Sequence, residues 1–339
     1  MDTKVSIQII AKETTPLGRL FFQCCLQALL DSDWPNEIII VDNGCSADVL
    51  SMVDGFHQEF ALQGTHLRVE PLLGNVTYSD LRNFGMSLIS PDTTIYHWVD
   101  TDEVYFPEKL NQLRKTLEKY EGKLRQIYTY FYHFTFDPRT WQFKATKDNI
   151  FAYHKGLHWT KGVHEHVDGL LPGQKVQTDV EYLHFGYLRP QWQTTLKWLH
   201  YDMLEFGNVD RYKDERLEDQ DKKVYTEPYF REWRTPNTIL DDRREECAKQ
   251  GPWPRERVPA AAAPVYAQAD RWDEFLRETE DYTLWDRWQE LCLTAGGWRD
   301  TLDEIVRIME ACNWSYNGTK KENHDNPGDA TAPAARGDG

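Results

Sequence analysis

The sequence predicts an α/β fold, a mostly parallel sheet flanked by helices, with a helical C-terminal extension. Three observations carry that prediction. Short β-branched apolar runs alternate with segments of helical spacing over residues 1–120. Most of those runs end in acidic or turn-forming residues. From Trp192 onward the chain becomes charged and helical in pattern.

Val5 to Ile10 is a short apolar run that ends at Ala11-Lys12-Glu13, and Leu17 to Leu30 follows with helical spacing. Glu37 to Val41 is a buried-strand run closed by Asp42-Asn43-Gly44. Ala47 to Leu62 predicts a second helix, Leu67 to Pro71 a weaker strand, and Ser79 to Ile89 a third helix closed by Ser90-Pro91. Thr94 to Val99 predicts a fourth strand, ending at Asp100-Thr101-Asp102-Glu103, and Pro107 to Tyr120 a helix with Pro at its first turn. Gln126 to Asp137 alternates like an aromatic-rich strand. Residues 138–186 read as irregular, dense in His, Trp and Gly, and suited to a loop-built site. Residues 251–264 read as a linker or turn region, with helices expected around Trp272-Phe275-Leu276 and Leu302-Ile305-Ile308-Met309. The organisation expected is an α/β domain over residues 1–190, a helical extension over 191–318, and a disordered tail over 319–339.

In open parallel sheets, ligands bind beyond the carboxyl ends of the strands. Glu13, Asp42, Asp100 and Asp102 all follow strand runs, so they should converge on one edge. Such a gathering of carboxylates needs a cation or ligand donors to meet it. Asp100-Thr101-Asp102 sits at an extended strand end, where alternate residues can direct two carboxylates at one ion. Hard oxygen ligands suit Mn²⁺ or Mg²⁺, which leave positions for water and diphosphate oxygens.

The chain has 39 basic and 55 acidic residues, a formal charge of −16, which makes it a poor general binder of phosphate backbones. Its 13 Trp, 17 Tyr and 15 Phe support a core and leave flat side chains for stacking on sugars or bases. The six cysteines show no CxxC pairing, and no signal-peptide pattern or bilayer-length apolar run is present, so reduced thiols and a cytoplasmic location are expected. The sequon matches at Asn313 and Asn317 are then read as chance. His154, His158, His164 and His166 cluster in sequence, but without a cysteine pair or an HExxH helix a structural zinc site is the minority reading.

The segments VSIQIIAKE, CLQAL, NEIIIVDNGCSAD, YSDLRNFGMSLIS and IYHWVDTDEVYFPEKL, in that order, resemble family-two glycosyltransferases of the GT-A fold. WTKGVHEHVDG resembles the Val-His-Glu segment of the branch that includes lipopolysaccharide core glucosyltransferase-like and peptide S-glycosyltransferase-like proteins. The resemblance covers roughly residues 4–186. One departure is Ala11-Lys12-Glu13, where the family often has Lys-Asn-Glu.

The resemblance implies a nucleotide-sugar donor, of UDP type, and a divalent metal. Glu13, Asp42, Arg82, Asn83 and Asp100 would lie at the donor, with Asp42 on the base or ribose and Arg82 placed to pair with diphosphate. Asp102 would be the main metal ligand, joined by Asp100 and by a late histidine, His184. Asp42 also fits an ordinary turn, Arg82 and Asn83 a helix surface, and Glu103 a helix-start acid. Glu165 is the candidate catalytic base of an inverting transfer, with Asp100 beside the reacting sugar and with Asp168 and Asp179 as alternatives for the base. The acceptor could be a glycan, a peptide or a modified nucleic-acid base. The competing class is a non-catalytic module that holds a nucleotide or glycan on the same fold.

Overall fold

A computed structural model describes residues 3–74, 76–120, 123–160, 166–190 and 244–280. Its centre is an eight-stranded sheet. Four parallel strands form one half: β1 (Val5–Ala11), β2 (Glu37–Asp42), β3 (His66–Pro71) and β4 (Ile95–Asp100). The other half contains β5 (Glu103–Tyr105), β6 (Leu124–Thr135), β7 (Trp141–Ala152) and β10 (Gln174–Tyr187). A small hairpin, β8 (His158–Thr160) and β9 (His166–Asp168), stands apart. The sheet order is β3-β2-β1-β4-β7-β6-β10-β5, with β7 antiparallel to both neighbours and β5 antiparallel to β10.

The helices α1 (Pro16–Leu30), α2 (Ala47–Leu62), α3 (Tyr78–Ser87) and α4 (Pro107–Leu117) connect the strands. Their starts are written in the sequence. Thr15 caps α1 by accepting from Gly18 N at 3.1 Å, with Pro16 in the first turn. Ser46 caps α2 through Val49 N. Thr77 and Asp80 form a reciprocal capping box on α3. β2 is buried at every position and β1 at all but one, which is why both are continuous apolar runs rather than alternating ones.

The sheet is sharply curled. β4 and β5 are separated by two residues yet stand four strand spacings apart in the sheet. Four flat spacings would cover about 19 Å, whereas three residue steps reach about 11 Å at most. The sheet must therefore bend round so that its far edge returns to the carboxyl end of β4. That bend places residues 100–103 against β7 and β10.

Two expectations change. Residues 138–186 are not mainly irregular: they hold two long strands, β7 and β10. The outer half of each is polar and partly exposed, so no apolar run announces it. Residues 251–264 are turns and short helical pieces, yet they pack into a hydrophobic cluster. Trp253, Ala261, Ala262 and Val265, with Trp272 and Leu276 of the following helix, meet Leu17, Phe21 and Cys24 of α1 and Phe134 and Phe185 of the sheet. The helices there are α5 (Ala263–Tyr266) and α6 (Trp272–Thr279). The predicted helix near Leu302 and the 319–339 tail lie outside the described residues, as does most of the 191–318 extension. Cys24, Cys25, Cys45 and Cys247 are free thiols. Among the described residues no helix is long and apolar enough to cross a membrane.

His97 lies fully buried in this core. It accepts from Trp34 Nε1 at 3.0 Å and meets the Tyr105 hydroxyl at 3.1 Å. Burial, with a smaller contribution from Lys147, pushes its pKa down from 6.5 to about 3. The folded state therefore holds His97 neutral while the unfolded chain takes up a proton below about pH 6.5. Stability from this residue is complete above the unfolded pKa and falls as pH drops toward the folded one. Between pH 7.0 and 5.5, denaturant titrations should show the parent losing about 1 kcal/mol more stability than His97→Asn.

Candidate active site

The site forms where the curled sheet brings β10 against the turn after β4. Phe185 N donates to Asp102 O at 2.9 Å, fixing the carboxyl-terminal part of β10 beside Asp100-Thr101-Asp102. Arg82 arrives from α3. That helix approaches β1 closely because residue 85 is glycine; a Cβ there would lie 2.0 Å from Gln8 Nε2. Gln8 donates from the same nitrogen to the carbonyls of Leu81 and Arg82, at 3.1 and 2.9 Å. Its Oε1 accepts from the Tyr96 hydroxyl, which in turn accepts from Trp159 Nε1 at 3.1 Å.

Asp100 is gripped on both oxygens. Arg82 Nη2 donates to Oδ1 at 2.8 Å and Lys147 Nζ to Oδ2 at 3.0 Å. Both cations also sit over the Trp98 ring, at 4.5 and 3.7 Å from its centroid. Burial alone would raise the Asp100 pKa, but Lys147 and Arg82 outweigh it and hold the carboxyl well below its usual range. Lys147 reaches Glu103 Oε1 as well, at 2.5 Å. Burial would lower the lysine's pKa; Asp100 and Glu103 more than offset that, and it is raised. Glu103 is 1% exposed. Burial pushes its pKa up to about 7, Lys147 opposes this, and Asp100 and Asp102 add to it. Glu103 thus opens a buried strand and is not the helix-start acid that the sequence suggested.

Asp102 faces His184 of β10, with Oδ1 3.6 Å from Nε2. Between them stands Gly186: a Cβ at that position would lie 2.8 Å from Asp102 Oδ2 and 2.9 Å from His184 Nε2. Glycine therefore leaves a gap lined by one carboxylate and one imidazole. Among the described residues no set of three His, Cys, Asp or Glu side chains forms a metal site. An Mn²⁺ or Mg²⁺ ion that shares its shell with substrate phosphates and water needs only one or two protein ligands. Asp102 and His184 fit that kind of site, and Asp100, held by two cations, stands behind it.

Glu13 comes to the same edge, bound by its own partners. Thr101 Oγ1 donates to Oε1 at 2.6 Å, and Arg189 Nη2 lies 3.3 and 3.1 Å from the two oxygens. Room for it exists because residue 18 is glycine; a Cβ there would sit 2.0 Å from Glu13 Oε2. Asp42 organises its own turn, accepting from Gly44 N at 2.9 Å and Cys45 N at 2.7 Å. Asn83 pairs through its side-chain amide with the Trp159 backbone, donating at 2.9 Å and accepting at 2.8 Å, which ties the β8–β9 hairpin to α3.

Glu165, with His164, lies outside the described residues. Asp168 accepts from Thr160 Oγ1 at 3.1 Å within the hairpin. Asp179 is bound by Lys109 at 2.7 Å and largely exposed. His154 and His158 bond to the backbone of Gly169 and Gly156, and His166 pairs with Asp168, so these three gather no common zinc ligand set. Sequence reading missed Lys147, Arg189 and His133. Lys147 and His133 sit on strands with no local motif, so only the pairing of β6, β7 and β10 brings them in.

Removal of Lys147 takes the cation from Glu103 and leaves Asp100 to Arg82 alone. Lys147→Met should destabilise the fold by about 3 kcal/mol, read as a lower denaturant midpoint. A midpoint equal to the parent's would mean that Arg82 alone balances the cluster.

Residues 19–172 match the family described as Glycosyl transferase family 2, which is less than half of the chain. Comparison with curated proteins gives no match. Among solved structures, residues 1–349 of S. aureus TarS are 14% identical over 80% of this chain and 88% of that one, with a TM-score of 0.39. The TarS 1–349 complex with UDP-GlcNAc is 16% identical over 40% of this chain, with a TM-score of 0.32. A longer S. aureus TarS structure is 10% identical over 81% of this chain, with a TM-score of 0.41. The chain spans 36% of that UDP-GlcNAc complex and 54% of the longer TarS. These likenesses are low in sequence and in global shape. Residues 19–172 are thus similar to glycosyl transferase family 2, and the described residues carry a mostly parallel, Rossmann-like GT-A sheet with flanking helices.

Proposed function

We propose that this chain is a metal-dependent glycosyltransferase. It moves a sugar from a nucleotide-sugar donor of UDP type to an acceptor nucleophile, with inversion. The observation that carries the reading is the gap at Gly186, with Asp102 and His184 facing one another beyond the carboxyl end of β4. Strand ends of this kind are where parallel sheets receive nucleotides. Mn²⁺ or Mg²⁺ held there by Asp102 and His184 would supply counter-charge for the leaving nucleoside diphosphate. Arg82 and Lys147 keep Asp100 ionised and oriented beside that position.

In the transfer, the bond from the anomeric carbon to the donor phosphate oxygen breaks as the bond to the acceptor atom forms. The acceptor's proton passes to a carboxylate, for which Glu165 is the assigned base. The acceptor is a glycan, a peptide or a modified base; the net charge of −16 weighs against an extended polyanion.

A thermal-shift panel of nucleotide sugars, with and without Mn²⁺, should give a metal-dependent rise for one donor, followed by slow donor hydrolysis. Metal-independent binding without turnover would favour the non-catalytic module. Asp102→Ala should abolish the Mn²⁺-dependent part of donor binding. Gly186→Ala should do the same by filling the gap, with melting within a few degrees of the parent; unchanged donor affinity in both variants would refute the metal assignment. Glu165→Gln should retain donor binding and lower kcat by about 10²-fold or more, and full transfer by that variant would remove Glu165 as the base.

A further inference from the structure

His184 does not face Asp102 alone. On its other side Nδ1 lies 2.9 Å from Nδ1 of His133 on β6, a hydrogen bond between two imidazoles. His133 is 4% exposed. Its ring stacks on Phe143 at 4.7 Å with an interplanar angle of 5°, and meets Tyr187 edge-on at 4.2 Å. Phe131 packs edge-on against both histidines. The cradle leaves His133 little freedom to rotate, so its Nδ1 is a fixed partner for His184.

A bond between two Nδ1 atoms allows one proton only, carried by one ring or the other. If His184 carries it, its Nε2 presents a lone pair toward Asp102 and the Gly186 gap. If His133 carries it, neutral His184 has its proton on Nε2 and cannot ligate through that atom. The 2.9 Å separation at Nδ1 is a good hydrogen bond, and only the first arrangement lets His184 ligate an ion on the Asp102 side.

We propose that His133 is a positioning residue which accepts the Nδ1 proton of His184 and thereby holds the His184 Nε2 lone pair toward the metal gap. Histidine ligands are commonly set in this way by a partner on the second nitrogen, and loss of the partner typically weakens metal binding 10- to 100-fold. The inference rests on the metal site assigned under the proposed function, but it also makes a statement about the metal-free protein.

The test uses two variants of the full chain. His133→Phe keeps an aromatic ring in the cradle and removes the acceptor. His133→Asn returns an acceptor oxygen near the place of Nδ1. Mn²⁺ affinity in the presence of UDP, read by electron paramagnetic resonance, should fall 10- to 100-fold in His133→Phe. It should return to within about threefold in His133→Asn, as expected of a restored acceptor. Unchanged affinity in His133→Phe, or equal losses in both variants, would overturn the proposal. Nitrogen-detected histidine spectra of the metal-free parent, assigned with His184→Asn, should show His184 protonated on Nδ1. Protonation on Nε2 there would overturn it independently. If the parent binds no Mn²⁺ with UDP while its spectra show the Nδ1 proton, the metal reading fails and the tautomer assignment stands.

Discussion

Three carboxylates gather at Asp100, Asp102 and Glu103, and two cations, Arg82 and Lys147, hold Asp100 and Glu103 in place. Charges this close and this buried would repel one another strongly without such compensation. The compensation comes from opposite directions: Arg82 from a helix in the parallel half, Lys147 from the antiparallel strand β7. The turn after β4 is thus the place where the two halves of the sheet are joined electrostatically as well as by chain connection. Trp98 lies under both cations, which spreads their charge over an aromatic face and limits their access to water.

Close approach is the second organising constraint, and glycine supplies it at positions 18, 85 and 186. At each, the nearest atom a Cβ would meet belongs to a polar side chain, with Val41 Cγ2 also 2.9 Å away at Gly85. Gly85 admits Gln8 and so sets where Arg82 begins. Gly18 admits Glu13, which Thr101 and Arg189 then hold against the same edge. Gly186 leaves space between Asp102 and His184. The aromatic cradle of Phe131, Phe143 and Tyr187 serves the same end from the far side by restricting the histidine pair.

The alternation of strands and helices over the first 120 residues was legible because each central strand is buried on both faces and reads as an apolar run. Helix starts were legible from local capping chemistry at Thr15, Ser46 and Thr77. The long strands β7 and β10 were not, since exposed polar residues on their outer halves break the pattern. The packing of the 251–264 segment went unseen for a related reason: proline and alanine mark turns locally, and only contact with α1 and the sheet makes them core.

By itself the sequence determined the α/β class, the strand-end position of Asp100 and Asp102, and the family resemblance. All of these depend on residues close together in the chain. The tertiary structure decided which groups meet them. It made Asp42 the organiser of its own turn, tied Asn83 to the Trp159 backbone, and brought in Lys147, Arg189 and His133 from segments without a motif. The physical reason is the curl of the sheet. A two-residue link cannot span four strand spacings unless the far edge folds back, and that return places β6, β7 and β10 around the acids.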